Sequence, residues 1–111
     1  MKVLIVLPHM RLLSWMMLPP AENQLELQHA LQQVVGGIVE VGQRLPNGDL
    51  VYITRHSPKP GFFWLPPGPC WLPGVGVIVG PRLGCDVNST YEGISEVAHL
   101  SRTGTDLLPP P

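Results

Sequence analysis

Residues 22–55 read ENQLELQHALQQVVGGIVEVGQRLPNGDLVYITR, and they join a helix to a hairpin. Apolar residues recur at helical spacing from Leu27 to Val35, with Glu and Gln between them, so we predict a helix over residues 22–35. Gly36-Gly37 follows the last apolar pair, where a helix C-cap favours a left-handed residue. We therefore expect one main helix, ending at this glycine pair.

The hairpin follows directly. Asn47-Gly48 lies between two strand-like runs, residues 38–44 and 50–55, and Asn-Gly in this setting is a strong hairpin signal. Alternation of apolar and polar residues in both runs predicts an antiparallel pair with one buried face and one wetter face. Arg44 and Arg55 stand on either side of the turn, so we expect them to lie close together across the pair.

Shorter elements extend from this centre in both directions. The aliphatic run Lys2–Leu7 predicts a strand buried on both faces, and so does VGVIVG at residues 75–80. Residues 10–18 form either a strand or a helical turn, and their position between two proline breaks favours a strand. Residues 93–101 predict a short second helix.

Residues 56–74 hold six Pro, three Gly and four of the chain's seven aromatic residues. Proline removes backbone donors and fixes φ, so we expect neither a helix nor a central strand here. An ordered, polyproline-like loop pinned by its aromatic side chains is our interpretation.

The fold class that follows is α+β. We predict a small antiparallel or mixed sheet of four to five strands, with one main helix packed on it and a long Pro- and aromatic-rich loop. The domain covers residues 1–102, and residues 103–111 form a flexible, Pro-rich C-terminal tail.

Composition excludes several classes of protein. The chain has 111 residues and a formal net charge of -1, with 44% hydrophobic and 14% charged residues. The near-neutral charge argues against binding to nucleic acid or to an anionic membrane surface. No stretch approaches the roughly 18 uninterrupted apolar residues of a membrane span, and the apolar run after Lys2 is too short for a signal peptide. We therefore expect a cytoplasmic protein with no membrane partner.

The residues that could carry catalysis or bind a metal are scattered. Cys70 and Cys85 are separated by 14 residues and belong to no Cys-x-x-Cys pair, and the four histidines occur singly. A zinc site needs ligands at recognisable pair spacing. We interpret the cysteines as free thiols in or near the core, and whether they pair stays open. No paired-carboxylate or Ser-x-x-Lys pattern occurs, so we predict no catalytic residue, metal site or cofactor, and no enzyme.

The candidate binding residues surround the aromatic loop and combine cations with rings. They are Arg44, Arg55, His56, Lys59, Phe62, Phe63, Trp64 and Trp71. Such a set could stack on and neutralise a small anionic, nucleotide-like ligand, or it could form the hot spots of a protein interface. In the other interpretation, the arginines solvate a sheet face and the aromatic side chains fill the core beneath the loop.

Three segments together resemble a known family. They are MKVLIV at residues 1–6, LQHALQQVVGGIVEV at residues 27–41 and VIVGP at residues 77–81. In these segments the chain resembles a small domain family of unknown function found in bacteriophages, plasmids and other mobile elements, over about residues 1–100. The family's loop after the hairpin is polar and contains Asn, whereas the loop of this chain is rich in Pro and aromatic residues.

The resemblance implies an origin in a phage or mobile element, and hence the cytoplasm of a bacterial host. Because no catalytic pattern occurs, we expect a non-enzymatic accessory protein that acts by binding. We expect a host or phage protein as the partner, and inhibition of a host defence or regulatory component as the outcome. The alternatives are a protein that sequesters a nucleotide-like ligand and a minor virion component. An exposed sheet edge on so apolar a chain would also allow a homodimer.

Overall fold

The computed structural model describes residues 1–54, 56 and 59–103 of the chain. Among the described residues, a 3-10 turn at Pro8–Met10 follows the first strand, and five consecutive strands lie between the two helices. The elements are β1 (Lys2–Leu7), β2 (Leu12–Met17), α1 (Gln24–Val35), β3 (Glu40–Arg44), β4 (Leu50–Ile53), β5 (Phe62–Trp64), β6 (Leu72–Pro73), β7 (Gly76–Val79), α2 (Tyr91–Val97) and β8 (His99–Ser101).

Five strands form the main sheet in the order β2-β1-β7-β4-β3, and every neighbouring pair is antiparallel. The aliphatic strands β1 and β7 lie inside the sheet and are buried on both faces, as their sequences predict. The segment after Pro8 is strand β2, which confirms the strand interpretation. The sheet therefore ends at β2 on one side and at β3 on the other.

Each face of the main sheet has its own hydrophobic core. Helix α1 covers one face, where Leu31 packs in a cluster with Val3 and Val77. A second antiparallel sheet, in the order β6-β5-β8, packs with α2 on the other face, where Phe63 joins a cluster with Ile78. The fold is α+β, as the sequence predicts, with a small sheet as an additional layer.

The prediction of a wetter face for the hairpin is wrong at β4. Val51, Tyr52 and Ile53 are all buried, although they alternate between the two faces of the sheet. Tyr52 belongs to the core under α1, and its two neighbours belong to the core under the small sheet. A strand covered on both sides loses the solvent face that its alternation suggests.

The prediction that no central strand runs through the aromatic loop is also wrong, because β5 is the middle strand of the small sheet. Its three residues, Phe62–Trp64, contain no proline, so their backbone can pair on both sides. Pro73 lies on the edge strand β6, where a missing N–H donor costs little. The prolines therefore border the strand pairing and do not prevent it.

The helix boundaries follow their capping residues. Helix α1 begins at Gln24, not at residue 22, because the Asn23 side chain accepts a hydrogen bond of 2.9 Å from the Glu26 N–H. It ends as predicted, with Gly36 left-handed at φ +81°.

The predicted helix over residues 93–101 is two elements. Thr90 caps α2 by accepting a hydrogen bond from the Gly93 N–H (3.0 Å), and the chain becomes extended at Ala98. Residues His99–Ser101 then pair with β5. That pairing joins residues far apart in sequence, so a local pattern does not reveal it.

Both cysteines differ from their predicted place. Cys70 and Cys85 are exposed free thiols in the connections after β5 and β7, not core residues. Of the predicted tail, residues 104–111 lie outside the described residues. Among the described residues, neither helix is long and apolar enough to cross a membrane.

Candidate functional site

The small sheet divides the aromatic residues of the loop between two faces. On the inner face, Phe63 is fully buried against the main sheet. Gly76 leaves the space that this ring occupies, since a Cβ at Gly76 would lie 2.4 Å from Phe63 Cζ. Phe63 is therefore a core residue that no ligand can reach.

The outer face of the small sheet carries a cluster of three rings, which we call the aromatic cluster: Trp64, Trp71 and His99. Trp64 and His99 are cross-strand partners on β5 and β8, and their rings stack with centroids 4.8 Å apart and planes 22° apart. The Trp71 ring lies 6.1 Å from that of Trp64 and 6.4 Å from that of His99. Trp64 is buried under its neighbours, whereas Trp71 is half-buried and His99 is exposed. The surface of the cluster therefore consists of Trp71 and His99.

Hydrogen bonds hold the base of the aromatic cluster in place. Trp64 Nε1 donates to the Gly68 carbonyl oxygen at 2.7 Å, and the Gly68 N–H donates to the carbonyl oxygen of Leu65 at 2.9 Å. Gln43 Nε2 on β3 donates to the same Leu65 oxygen at 2.8 Å. The turn after β5 is thus joined to the main sheet, and Trp64 is held by its hydrogen bond to this turn.

Those of the predicted cations that the structure describes lie on separate segments of the chain. Arg44 is exposed at the turn end of the hairpin, and its cross-strand partner is Leu50, so the expected pairing of Arg44 with Arg55 is wrong. Arg55 itself lies outside the described residues. His56 lines a groove of about 350 Å³ beyond the other end of β4, with Gly37 and Thr54.

Two exposed cations adjoin the strands of the small sheet. One is the predicted residue Lys59, three residues before β5. Arg102 is exposed directly after β8, and Phe62, which is half-buried, pairs with Ser101. Because β5 and β8 are antiparallel, Lys59 and Arg102 lie at the same end of this strand pair. The β5–β8 pair therefore has these cations in the connections at one end and the aromatic cluster at the other.

Sequence reasoning missed His99 and Arg102. Alternation in the tripeptide His-Leu-Ser was the available signal, because Leu100 packs against the core while His99 faces outward. The apolar spacing of residues 93–101 also fits a helix, and a helix would not place His99 beside Trp64.

A polar cluster at the hairpin turn has a structural role. The fully buried Asp49 carboxylate accepts hydrogen bonds from the Asn88 N–H (3.0 Å), the Ser89 N–H (2.7 Å) and the Ser89 hydroxyl (2.6 Å). Asn47 Nδ2 donates to the Ser89 hydroxyl at 3.0 Å. A groove of about 320 Å³ lies beside these groups. These polar groups form hydrogen bonds with one another, so the cluster joins the hairpin to the segment before α2.

The described residues contain no group of three or more His, Cys, Asp or Glu side chains that could hold a metal ion. The aromatic cluster can offer ring faces and edges, and the nearby cations can offer positive charge. Aromatic and cationic side chains of this kind are typical of surfaces that bind a partner.

No family model matches the chain, and neither a curated protein nor a solved structure matches it.

Proposed function

We propose that this chain is a non-enzymatic binding protein whose contact surface is the outer face of the small sheet. The observation that carries the proposal is the aromatic cluster, in which Trp71 and His99 reach the surface from a base fixed by Trp64. Tryptophan is enriched among the residues that dominate binding energy at protein interfaces. A ring that is already ordered loses little conformational entropy on binding.

The chemistry of the face favours a protein partner with acidic and apolar groups. Lys59 and Arg102 supply positive charge at one end of the β5–β8 pair, and Trp71 supplies apolar surface at the other. Complementary charge steers association, and a central aromatic residue contributes affinity. A partner that presents a carboxylate beside an apolar side chain would match both ends.

The biological setting of the proposal comes from the family resemblance of residues 1–6, 27–41 and 77–81. We propose an accessory protein of a phage or other mobile element that acts in the cytoplasm of a bacterial host. It would inhibit a host defence or regulatory component by occupying a surface that the component needs. The resemblance implies no activity, and a fold alone does not determine function, which depends on the residues of the site. The proposal is therefore tested at the aromatic cluster.

Affinity capture with paired variants tests the surface. The wild-type chain and Trp71→Ala are used as baits in host lysate, with Leu25→Ala as the matched control. Leu25 is 63% exposed on α1, which covers the opposite face of the main sheet. A partner identified by mass spectrometry and purified should bind wild type and Leu25→Ala equally and should lose at least tenfold affinity for Trp71→Ala. Equal binding to all three baits contradicts the proposal.

The second candidate is sequestration of a nucleotide-like ligand, because a base can stack on an exposed ring while a cation pairs with its phosphate. The half-buried ring of Trp71 and the exposed charge of Arg102, directly after β8, favour this candidate. A thermal-shift screen against linear and cyclic nucleotides separates the two. Stabilisation that is lost in Trp71→Ala supports the ligand, and no stabilisation by any nucleotide supports the protein partner.

A further inference from the structure

The two edges of the main sheet are built differently. At one edge, β3 carries Glu40 and Arg44 at its ends and a β-bulge between Val41 and Gln43. Charged side chains and bulges on an edge strand discourage pairing with another chain. The β3 edge therefore has two of the usual protections.

The β2 edge has none of these protections. Its six residues, Leu-Leu-Ser-Trp-Met-Met, include no charged residue and no proline, and all six pair with β1 without a bulge. Within the described part of the chain, β1 is the only strand that pairs with β2. Strand geometry directs alternate N–H and C=O groups of β2 away from β1, where they can pair with a further strand.

An apolar groove lies beside this open edge. It has a volume of about 640 Å³ and runs between β2 and α1, because α1 packs over the middle of the sheet and leaves the α1 side of β2 uncovered. The residues that line it include Ile5, Leu7, Met16, Leu18, Ala30 and Val34. Its polar lining residues, Ser14 and Gln33, are uncharged. A strand added to β2 would direct every second side chain into this groove.

We propose that the occupant is a second copy of this chain, paired antiparallel through β2 to make one continuous ten-stranded sheet. The strand that fits must be uncharged and must present apolar side chains on the α1 side of the sheet. Strand β2 meets both requirements, because Leu12 and Met16 lie on that side, opposite Leu7 and Val3 of β1. The edge is therefore complementary to itself.

Symmetry restricts how two copies can pair. A two-fold axis perpendicular to the sheet keeps the α1 side of one copy next to the α1 side of the other. Cross-strand partners must then lie on the same side of the sheet, so one residue of β2 pairs with its own copy in the other chain. That residue is either Ser14 or Trp15, and the axis passes midway between its two copies. Both registers direct Met16 and Leu12 towards the groove of the other copy.

The open edge also exposes apolar side chains that pairing would cover. Five of them lie on β2 and the turn before it: Met10 56%, Leu12 40%, Trp15 37%, Met16 38% and Met17 71%. A specific interface buries about 1,000 Å² or more, so the dimer must cover most of this apolar surface together with the backbone edge. The same axis would place both aromatic clusters on one side of the joined sheet, so the dimer would present two copies of the binding face.

Light scattering after size exclusion, with edge variants, tests the dimer. We expect the wild-type chain to have twice its 12.2 kDa mass at micromolar concentration. In the double variant Leu12→Lys, Met17→Lys, both replaced side chains are already exposed, and pairing would bring four lysine charges into an otherwise uncharged edge, one pair on each side of the sheet. We expect its dissociation constant to rise by about a hundredfold or more. The matched control is Val41→Lys, because Val41 is 51% exposed on the other edge strand, and this variant should remain a dimer.

Hydrogen exchange of the wild-type chain gives a second measurement that needs no variant. Alternate amides of β2 should become more protected as the chain is concentrated, while the amides of β3 should not change. A monomer at all concentrations overturns the proposal. A monomer with β2 already protected would assign the edge to another part of the chain, and protection only with an added foreign protein would assign it to that partner; both results exclude the second copy.

Discussion

The hydroxyl of Ser89 donates a 2.6 Å hydrogen bond to Asp49 Oδ2, and both residues are buried. The two residues are 40 positions apart in sequence. The pair fixes the β3–β4 turn to the segment before α2, since the Ser89 N–H also donates to Oδ2 at 2.7 Å. A buried carboxylate needs such donors, because an unpaired buried charge is strongly unfavourable.

Replacing this carboxylate should destabilise the fold. In Asp49→Asn, one oxygen becomes an NH2 group that cannot accept hydrogen bonds from Ser89, so we expect the free energy of unfolding to fall by about 2–3 kcal/mol. Urea denaturation followed by far-UV circular dichroism measures the change. The control is Asp86→Asn: Asp86 is exposed and accepts a hydrogen bond from the Lys2 N–H at 2.7 Å. A loss at Asp49 no larger than the loss at Asp86 would contradict the assigned role.

Local signals in the sequence predicted most elements of the main sheet. The aliphatic run of β1, the Gly36 cap and the Asn47-Gly48 turn each depend on residues close together in sequence, and all three are confirmed. The small sheet was not predicted, because β5 pairs with two strands that are three residues long or shorter and that follow later in the chain. A short strand has little periodicity, and its stability comes from long-range contacts.

The candidate site was predicted only in part, because it also depends on strand pairing between residues far apart in sequence. The sequence predicted that the aromatic side chains pin the loop, but composition cannot assign a side to each ring. Phe63 and Trp64 are adjacent in sequence and lie on opposite faces of β5, with Phe63 in the core. His99 joins Trp64 only through the β5–β8 register. The side that each ring takes is a property of the strand pairing, and the pairing was not visible.

The contact between Gly76 and Phe63 predicts that substitutions at these two positions partly compensate for each other. Gly76→Ala would place a Cβ 2.4 Å from Phe63 Cζ inside a packed core, and we expect a loss of about 2–3 kcal/mol of stability. Phe63→Leu removes the far end of the ring and should cost a similar amount by leaving a cavity. The double variant should lose clearly less than the sum, because the shorter side chain makes room for the new methyl group. A chemical denaturation cycle measures this coupling, and simple additivity would contradict the contact.

Trp64 should support the fold more than it supports binding. Trp64→Phe keeps a ring in the cluster but removes the Nε1 donor to the Gly68 carbonyl, so we expect a loss of about 1–2 kcal/mol. Tyr91→Phe is the control, because Tyr91 lies 37% exposed on α2, and it should cost less than half as much. Thermal denaturation of both variants measures the difference. An equal loss in the two would show that the Gly68 hydrogen bond does not hold the turn.

Two substitutions of Arg11 should change the stability of the fold in opposite directions. It has φ +50° at the end of the 3-10 turn between β1 and β2, a left-handed conformation that costs a side-chain-bearing residue about 1 kcal/mol. Arg11→Gly should therefore raise the thermal midpoint by a few degrees, although the more flexible unfolded chain offsets part of the gain. Arg11→Val removes the same charge but puts a β-branched side chain in that conformation, and it should lower the midpoint. Because both variants lose the charge, the difference between them isolates the backbone effect; equal midpoints would mean that the turn relaxes when Arg11 is replaced.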